Sequence, residues 1–198
     1  LIRKMFVAGV GVSLLVACSK ESMNKEMKIQ DVNAYTVEIQ NLTVDDFVGR
    51  WNMYSMTSIG EGNSVDFDQD GNFTYDLLEE TDCFDPMYFL FDKEGNVTTE
   101  QARLFFNGTT GKFSCQTTGN YVATYQISGN YLTVTFTVDG VQYTETKTVS
   151  RYSENGIDYL KVTLTEAETN SAVYVANDPG NTVASDIKQI DMIYQKVQ

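Results

Sequence analysis

The chain contains no histidine. That absence removes the commonest general base, the Ser-His-Asp and Cys-His arrangements, and most zinc sites. Cations are also scarce: 14 Lys plus Arg stand against 27 Asp plus Glu, a formal charge of −13. A surface of that sign repels nucleic acid and anionic lipid head groups, which argues against DNA or RNA as partners. Only two prolines occur, so long strand ladders can run uninterrupted. No glycine-rich phosphate loop opens a helix, because Asn107-Gly108 and Gly119-Asn120 read as hairpin turns. Long apolar runs are missing too. Met5 to Ala17 is the one candidate, and it falls short of the roughly 20 residues a membrane-spanning helix needs.

That short run has a different meaning. Arg3 and Lys4 precede it, and it closes on Leu15-Val16-Ala17-Cys18, a small-residue cleavage site followed by a cysteine. The pattern resembles a bacterial lipoprotein signal. The resemblance implies that residues 1–17 are cut away, that Cys18 is acylated as the lipid attachment site, and that multiple acyl chains hold the protein to a membrane. Residues 18–34, polar and charged around SKESMNKEMKIQ, form the lipidated N-terminus and a flexible tether. Lys20-Glu21 resembles the charged start that sends some lipoproteins of the Bacteroides group to the cell surface. The expected location is the cell envelope, lipid-anchored at the outer membrane. Removing residues 1–17 takes away two cations and no carboxylate, moving the formal charge from −13 to −15. Membrane contact should therefore come from the lipid. Residues 35–198 are long enough for one domain with its own core.

With Cys18 committed to lipid, Cys83 and Cys115 remain as an even pair in an oxidising compartment. A disulfide between them would close about 31 residues and stabilise by roughly 3–4 kcal/mol. The alternative is two unpaired buried thiols. No Cys-x-x-Cys spacing suggests a redox centre.

From Tyr35 onward, turn signals such as Glu94-Gly95, Ser128-Gly129-Asn130, Asp139-Gly140 and Asn155-Gly156 recur at intervals of roughly 9–13 residues, one strand plus one hairpin turn. Between them lie Tyr, Phe, Val, Thr and Ile, which favour strands. Leu132, Val134 and Phe136 alternate with threonines, and Leu160, Val162 and Leu164 repeat the pattern. The one helical signal is a short turn over Val44–Val48 capped by Thr43. The expected fold class is all-β: an antiparallel up-and-down meander of about 8–10 strands, closed into a barrel that leaves no exposed edge. The segment Val65–Thr74 is echoed by Phe89–Thr98, and both read as a hairpin built on an acidic-Gly-Asn turn.

Asp66, Asp68, Asp70 and Gly71 have the spacing of the first half of an EF-hand loop, but Leu77 stands where the bidentate Glu is needed. A charged outward face ending in a hairpin turn is the expectation, with no metal. Glu79, Glu80, Asp82 and Asp85 make an acidic loop beside Cys83. Paired carboxylates could serve acid–base chemistry, yet no pair is singled out. Neither catalysis nor a cofactor is expected.

Asn41-Leu42-Thr43-Val44-Asp45-Asp46-Phe47-Val48-Gly49-Arg50-Trp51 resembles the lipocalin opening, in which a short helical turn leads into Gly-x-Trp on the first strand and the Trp closes the barrel base. Val65–Thr74 and the Cys83…Cys115 pair are similar to lipocalin-like lipoproteins of Bacteroides-type bacteria, members of the calycin-like barrels. The C-terminal Met192-Ile193-Tyr194-Gln195-Lys196-Val197 is similar to the closing strand of intracellular lipid-binding barrels. Two departures stand out. The fatty-acid binders' Arg two residues before that Tyr is Met192 here, so that carboxylate clamp is absent. The Arg that caps the lipocalin Trp has no counterpart, since Arg103 and Arg151 are the only arginines after Arg50.

The resemblance and the strand pattern together imply a binding module whose lumen takes a small apolar or amphipathic ligand. By parity, the candidate lining residues are Trp51, Met53, Tyr125, Val134, Phe136 and Tyr143. The alternative is a non-catalytic accessory lipoprotein with a filled barrel, whose loops contact an envelope protein or a glycan.

Overall fold

The structure, a computed structural model, describes residues 41–107, 112–138, 140–175 and 183–198. The expected signal segment (1–17), the expected lipid-attachment residue Cys18 and the expected tether (18–34) lie outside the described residues.

The chain enters through α1 (Val44–Phe47). Thr43 precedes it, and the Asp46 carboxylate accepts both the Thr43 backbone N–H and its hydroxyl at 2.8 Å. Those hydrogen bonds, more than the neighbouring Arg151 guanidinium, hold the Asp46 carboxyl below the usual carboxylate range. β1 (Gly49–Ile59) follows, then an irregular segment, β2 (Tyr88–Phe91), β3 (Asn96–Glu100), β4 (Ala102–Asn107) and β5 (Lys112–Thr117). β6 (Tyr121–Ser128), β7 (Tyr131–Val138), β8 (Val141–Glu154) and β9 (Ile157–Leu164) form consecutive hairpins. The β8–β9 turn is Asn155-Gly156, with φ of 52° and 79°, left-handed values that Asn and Gly accept at low cost. α2 (Glu166–Ala172), β10 (Val173–Val175), α3 (Val183–Asp186) and β11 (Gln189–Lys196) complete the chain.

Eight strands close into an antiparallel barrel in the order β1-β2-β3-β6-β7-β8-β9-β11 and back to β1. Neighbours in the chain are neighbours in the barrel once β4, β5 and β10 are set aside. The architecture is all-β and up-and-down, compatible with a lipocalin-like barrel. β4, β5 and β10 instead form a separate three-stranded sheet, in which β10 runs parallel to β4. Strand spacing in the sequence cannot distinguish these strands from barrel staves, because both kinds carry the same residue types between the same turns.

Trp51 anchors the closure. It is wholly buried, and its indole N–H donates to the Phe47 carbonyl at 2.5 Å. Across the closing pair, Lys196 of β11 is the register partner of Trp51 and sets its ammonium 5.1 Å from the ring centroid. A cation does cover the tryptophan, but it is a lysine of the last strand and not an arginine. Phe47 meets Phe91 edge-on at 5.4 Å, and Phe91 meets Tyr125 at 4.8 Å. This aromatic stack plugs the closed end.

Two expectations need correction. The region around Asp70-Gly71 is not a second regular hairpin. Only Val65 and Thr74 pair there, because Asp66 and Asp68 carboxylates take the backbone N–H groups of Asp70 and Gly71 that a ladder would have used. Helix is also more abundant than the periodicity suggests. α2 begins at a capping box in which Glu168 accepts the Thr165 backbone N–H at 2.9 Å, and the Thr165-x-x-Glu168 spacing is a readable signal for it.

Cys83 and Cys115 are joined, with Cα atoms 5.3 Å apart. The bond ties a 3₁₀ turn at Asp82–Phe84 to β5, so it fastens the irregular segment after β1 to the small sheet.

Trp51→Ala should cost about 3–5 kcal/mol through the cavity it leaves. The expected readout is a lower urea midpoint with an unchanged denaturant slope; a midpoint equal to that of the parent would show that the ring does not hold the closed end together.

Candidate functional site

Strand alternation decides what faces the lumen. On β7 the inward residues are Leu132, Val134 and Phe136, whose cross-strand partners on β8 are Lys147, Glu145 and Tyr143. The threonines between them pair on the outer face, Thr133 with Thr146 and Thr135 with Thr144, through their hydroxyls. β9 contributes Val162 and Leu164, β11 contributes Met192 and Tyr194, and β2 contributes Phe89.

These residues line a partly open cavity of about 400 Å³ at the end of the barrel opposite α1. That volume lies within the roughly 300–1,000 Å³ typical of small-molecule sites. Its wall is mainly apolar. α2 lies against one side through Glu168, Ser171 and Ala172.

Polar groups enter at two levels. Deep in the wall, the Gln101 amide N–H donates to the Thr99 hydroxyl at 2.7 Å, and that hydroxyl donates to the Tyr88 carbonyl at 2.7 Å. Tyr194 is fully buried beside them, and its hydroxyl makes no hydrogen bond of ordinary geometry. Burial pushes its ionisation far upward, with the Gln101 side chain opposing the shift. The phenol is therefore neutral at any physiological pH. At the mouth stand Glu145, Lys147 and Glu168. Lys147 forms an ion pair with Glu168 across the gap between β8 and α2, and reaches Glu145 at 4.0 Å.

Of the six lining candidates, Val134 and Phe136 border the cavity. Trp51 and Tyr125 do point inward, but at the closed end, where aromatic packing leaves no room. The Tyr125 hydroxyl donates to the Asp92 carbonyl at 2.6 Å. Met53 lies opposite Tyr194 in the β1–β11 register and packs against the core without bordering the cavity. Tyr143 stacks on Phe136 at 5.6 Å but remains about half exposed, on the part of the β7–β8 hairpin that extends past the rim. Parity identifies the inward face; depth along the barrel decides which inward residues meet open space. Thr99, Gln101, Met192 and Tyr194 have inward positions that a register could supply. Glu168 and Ala172 reach the site only because α2 folds back against that side of the cavity.

A second cluster lies away from the cavity. Asp66, Asp68 and Glu80 bring one carboxylate oxygen each within 4.8 Å of the others. Among the described residues this is the group that could hold a metal ion, and Glu80, supplied from outside the Asp-x-Asp-x-Asp run, is the member that spacing alone misses. Glu80 is buried and accepts the Phe67 backbone N–H at 2.8 Å. Its carboxyl is pushed up chiefly by burial and further by the charges of Asp68 and Asp66.

No helix among the described residues is long and apolar enough to cross a membrane. Comparison with protein families, with curated proteins and with solved structures finds no match to this chain.

Because the folded-state pKa of Glu80 is raised, this group favours folding most when protonated, and that contribution is lost as pH rises through the folded pKa. Glu80→Gln keeps an acceptor for Phe67 and removes the buried charge. In chelator-containing buffer it should melt a few degrees above the parent at neutral pH, with the gap closing as pH falls below the ordinary carboxylate range. Melting curves that stay parallel across that range would show that the charge is not the cause.

Proposed function

We propose that this chain is a lipid-anchored envelope lipoprotein whose lipocalin-like barrel binds a small apolar or amphipathic molecule. The observation that carries the binding part is the half-filled lumen: aromatics pack the closed end, and an apolar cavity of about 400 Å³ remains at the other. Plain core packing tends to close such space, because a void forfeits contacts on every wall. Burial of ligand surface would supply the affinity, at about 0.8 kcal/mol per methylene, or roughly fourfold in Kd for each added carbon while the chain still fits.

The envelope part rests on the sequence. Acylation at Cys18 would hold the domain at the membrane through residues 18–34, and a chain of formal charge −15 after residues 1–17 are removed would otherwise be repelled by anionic lipid. Ligand capture beside a membrane fits a lumen that is apolar inside and charged at its mouth. The reaction implied is reversible binding, with no covalent step and no cofactor.

The second reading, an accessory protein that docks an envelope protein or glycan, draws on the packed closed end and on Tyr54 and Tyr152, exposed on either side of Tyr159 on the barrel exterior. The open cavity supports the first reading over it.

Val134→Trp places an indole in the cavity at a position only partly buried. It should weaken binding of a fluorescent apolar probe by more than about tenfold while leaving thermal stability within about 1.5 kcal/mol of the parent. Organic extraction of the purified protein followed by mass spectrometry should find a lipophilic molecule in the parent and less of it in the variant. Equal probe binding by the two proteins would remove the lumen as the binding site.

A further inference from the structure

The mouth of the cavity carries more chemical information than its walls. Glu145 and Lys147 sit on the inward face of β8, opposite Val134 and Leu132, positions that an apolar barrel would fill with aliphatic side chains. Lys147 is the one cation among the cavity-lining residues, and it is already paired with Glu168. Its side chain is 24% exposed, whereas that of Glu145 is 60% exposed, with Lys147 only at the 4.0 Å limit of an ion pair. The three charges at the mouth therefore sum to a net negative, and the accessible one is a carboxylate.

Aromatic residues occupy the neighbouring inward positions: Tyr143 is two residues before Glu145 on β8, and Phe136 pairs with Tyr143 across the ladder. Phe136 and Tyr143 stack with planes 19° apart and centroids at 5.6 Å, and Tyr121 lies 6.1 Å from Phe136. The Tyr121 hydroxyl is shifted upward by burial first and by the Glu145 charge second, so the carboxylate and that ring share one field. A carboxylate among aromatic side chains is an arrangement that receives ammonium groups, through charge and cation–π attraction together. An anionic head would meet Glu145 and Glu168 with Lys147, the one cation among the described lining residues, already engaged, against the field of a chain with net charge −13.

Resting on the lumen-binding reading above, we propose that the ligand is a cationic amphiphile: an ammonium head held at the mouth by Glu145 and the rings of Tyr121, Phe136 and Tyr143, with an apolar tail directed into the lumen. The Lys147–Glu168 pair has a complementary role. It occupies the one cation that would attract a carboxylate and braces α2 against β8 beside the opening.

The test compares three probes that share one decyl-length tail, of a size a small-molecule cavity admits: decyltrimethylammonium, decanol and decanoate. Each is titrated calorimetrically below its micelle concentration into the full chain carrying Cys18→Ser, so that no acyl chain competes. The ammonium should bind about tenfold more tightly than the alcohol, and the carboxylate more weakly than either. Glu145→Gln should bring the ammonium-to-decanol affinity ratio down to about one, and Glu145→Lys should turn the preference toward decanoate. Both substitutions fall at an exposed side chain, so folding is retained. Decanoate binding as tightly as the ammonium, or an unchanged preference in Glu145→Gln, would overturn the proposal. So would ammonium binding that survives Val134→Trp intact, since that is surface association. Decanol binding that Val134→Trp blocks, without any head-group preference, overturns this inference alone and leaves the lumen reading standing. Failure of all three probes to bind overturns both.

Discussion

The pairing of the first strand with the last is the constraint on which the rest depends. β1 and β11 run antiparallel from Trp51 with Lys196 to Ile59 with Gln189, with one irregularity between Met53 and Ser55. Until that ladder forms, the sheet has two free edges and its inner face has no enclosed volume. The pairing joins strands from opposite ends of the described chain, so its loop-closure cost is high and must be met by dense local contacts. Trp51 supplies two of them at the seam, the hydrogen bond to Phe47 and the Lys196 ammonium over the ring. Phe47 in turn packs on Phe91, and Phe91 on Tyr125, which carries the packing from α1 into the neighbouring strands.

Packing so much aromatic volume at one end leaves less for the other. The inward residues nearer the open end are mainly aliphatic or small, such as Leu132, Val134, Val162, Leu164 and Thr99, and they do not meet across the barrel. An asymmetry in side-chain size along the axis thus becomes a plug below and a cavity above. The same geometry concentrates polarity. Tyr194 and Gln101 occupy the wall, where burial makes an ionised group costly and a neutral one tolerable. The charged residues stand at the mouth, where solvent still reaches them.

Much of the architecture was legible. Alternation on β7 and β9, glycine-marked turns and Gly49-x-Trp51 led to an all-β closed meander, and the eight-stranded barrel agrees. Cysteine parity pointed to the Cys83–Cys115 bond. Less legible were the strands that leave the barrel. β4 and β5 look like any hairpin, and only the parallel partner β10, nearly 70 positions later in the chain, draws them into a separate sheet. The segment between β1 and β2 was misread as a hairpin because aspartate side chains compete for turn amides in a way residue type alone does not reveal. Of the inward positions that parity marks, Val134 and Phe136 border the cavity, Trp51, Tyr125 and Met53 lie at another depth, and Tyr143 stands at the rim, because depth along the barrel is not written in the alternation.

The sequence by itself determined the period-two alternation, the turn positions, the excess of negative charge and the lack of histidine. Each is a property of neighbouring residues or of composition, and needs no knowledge of what lies across the barrel. Only the tertiary structure decided where the lumen is full and where it is open, because volume is shared among strands far apart in the chain. It also decided that Glu168, from a short helix, meets Lys147 at the mouth, and that Glu80 joins Asp66 and Asp68. Electrostatic partnerships depend on distances in space, and a one-dimensional pattern carries distances only along a strand or a helix.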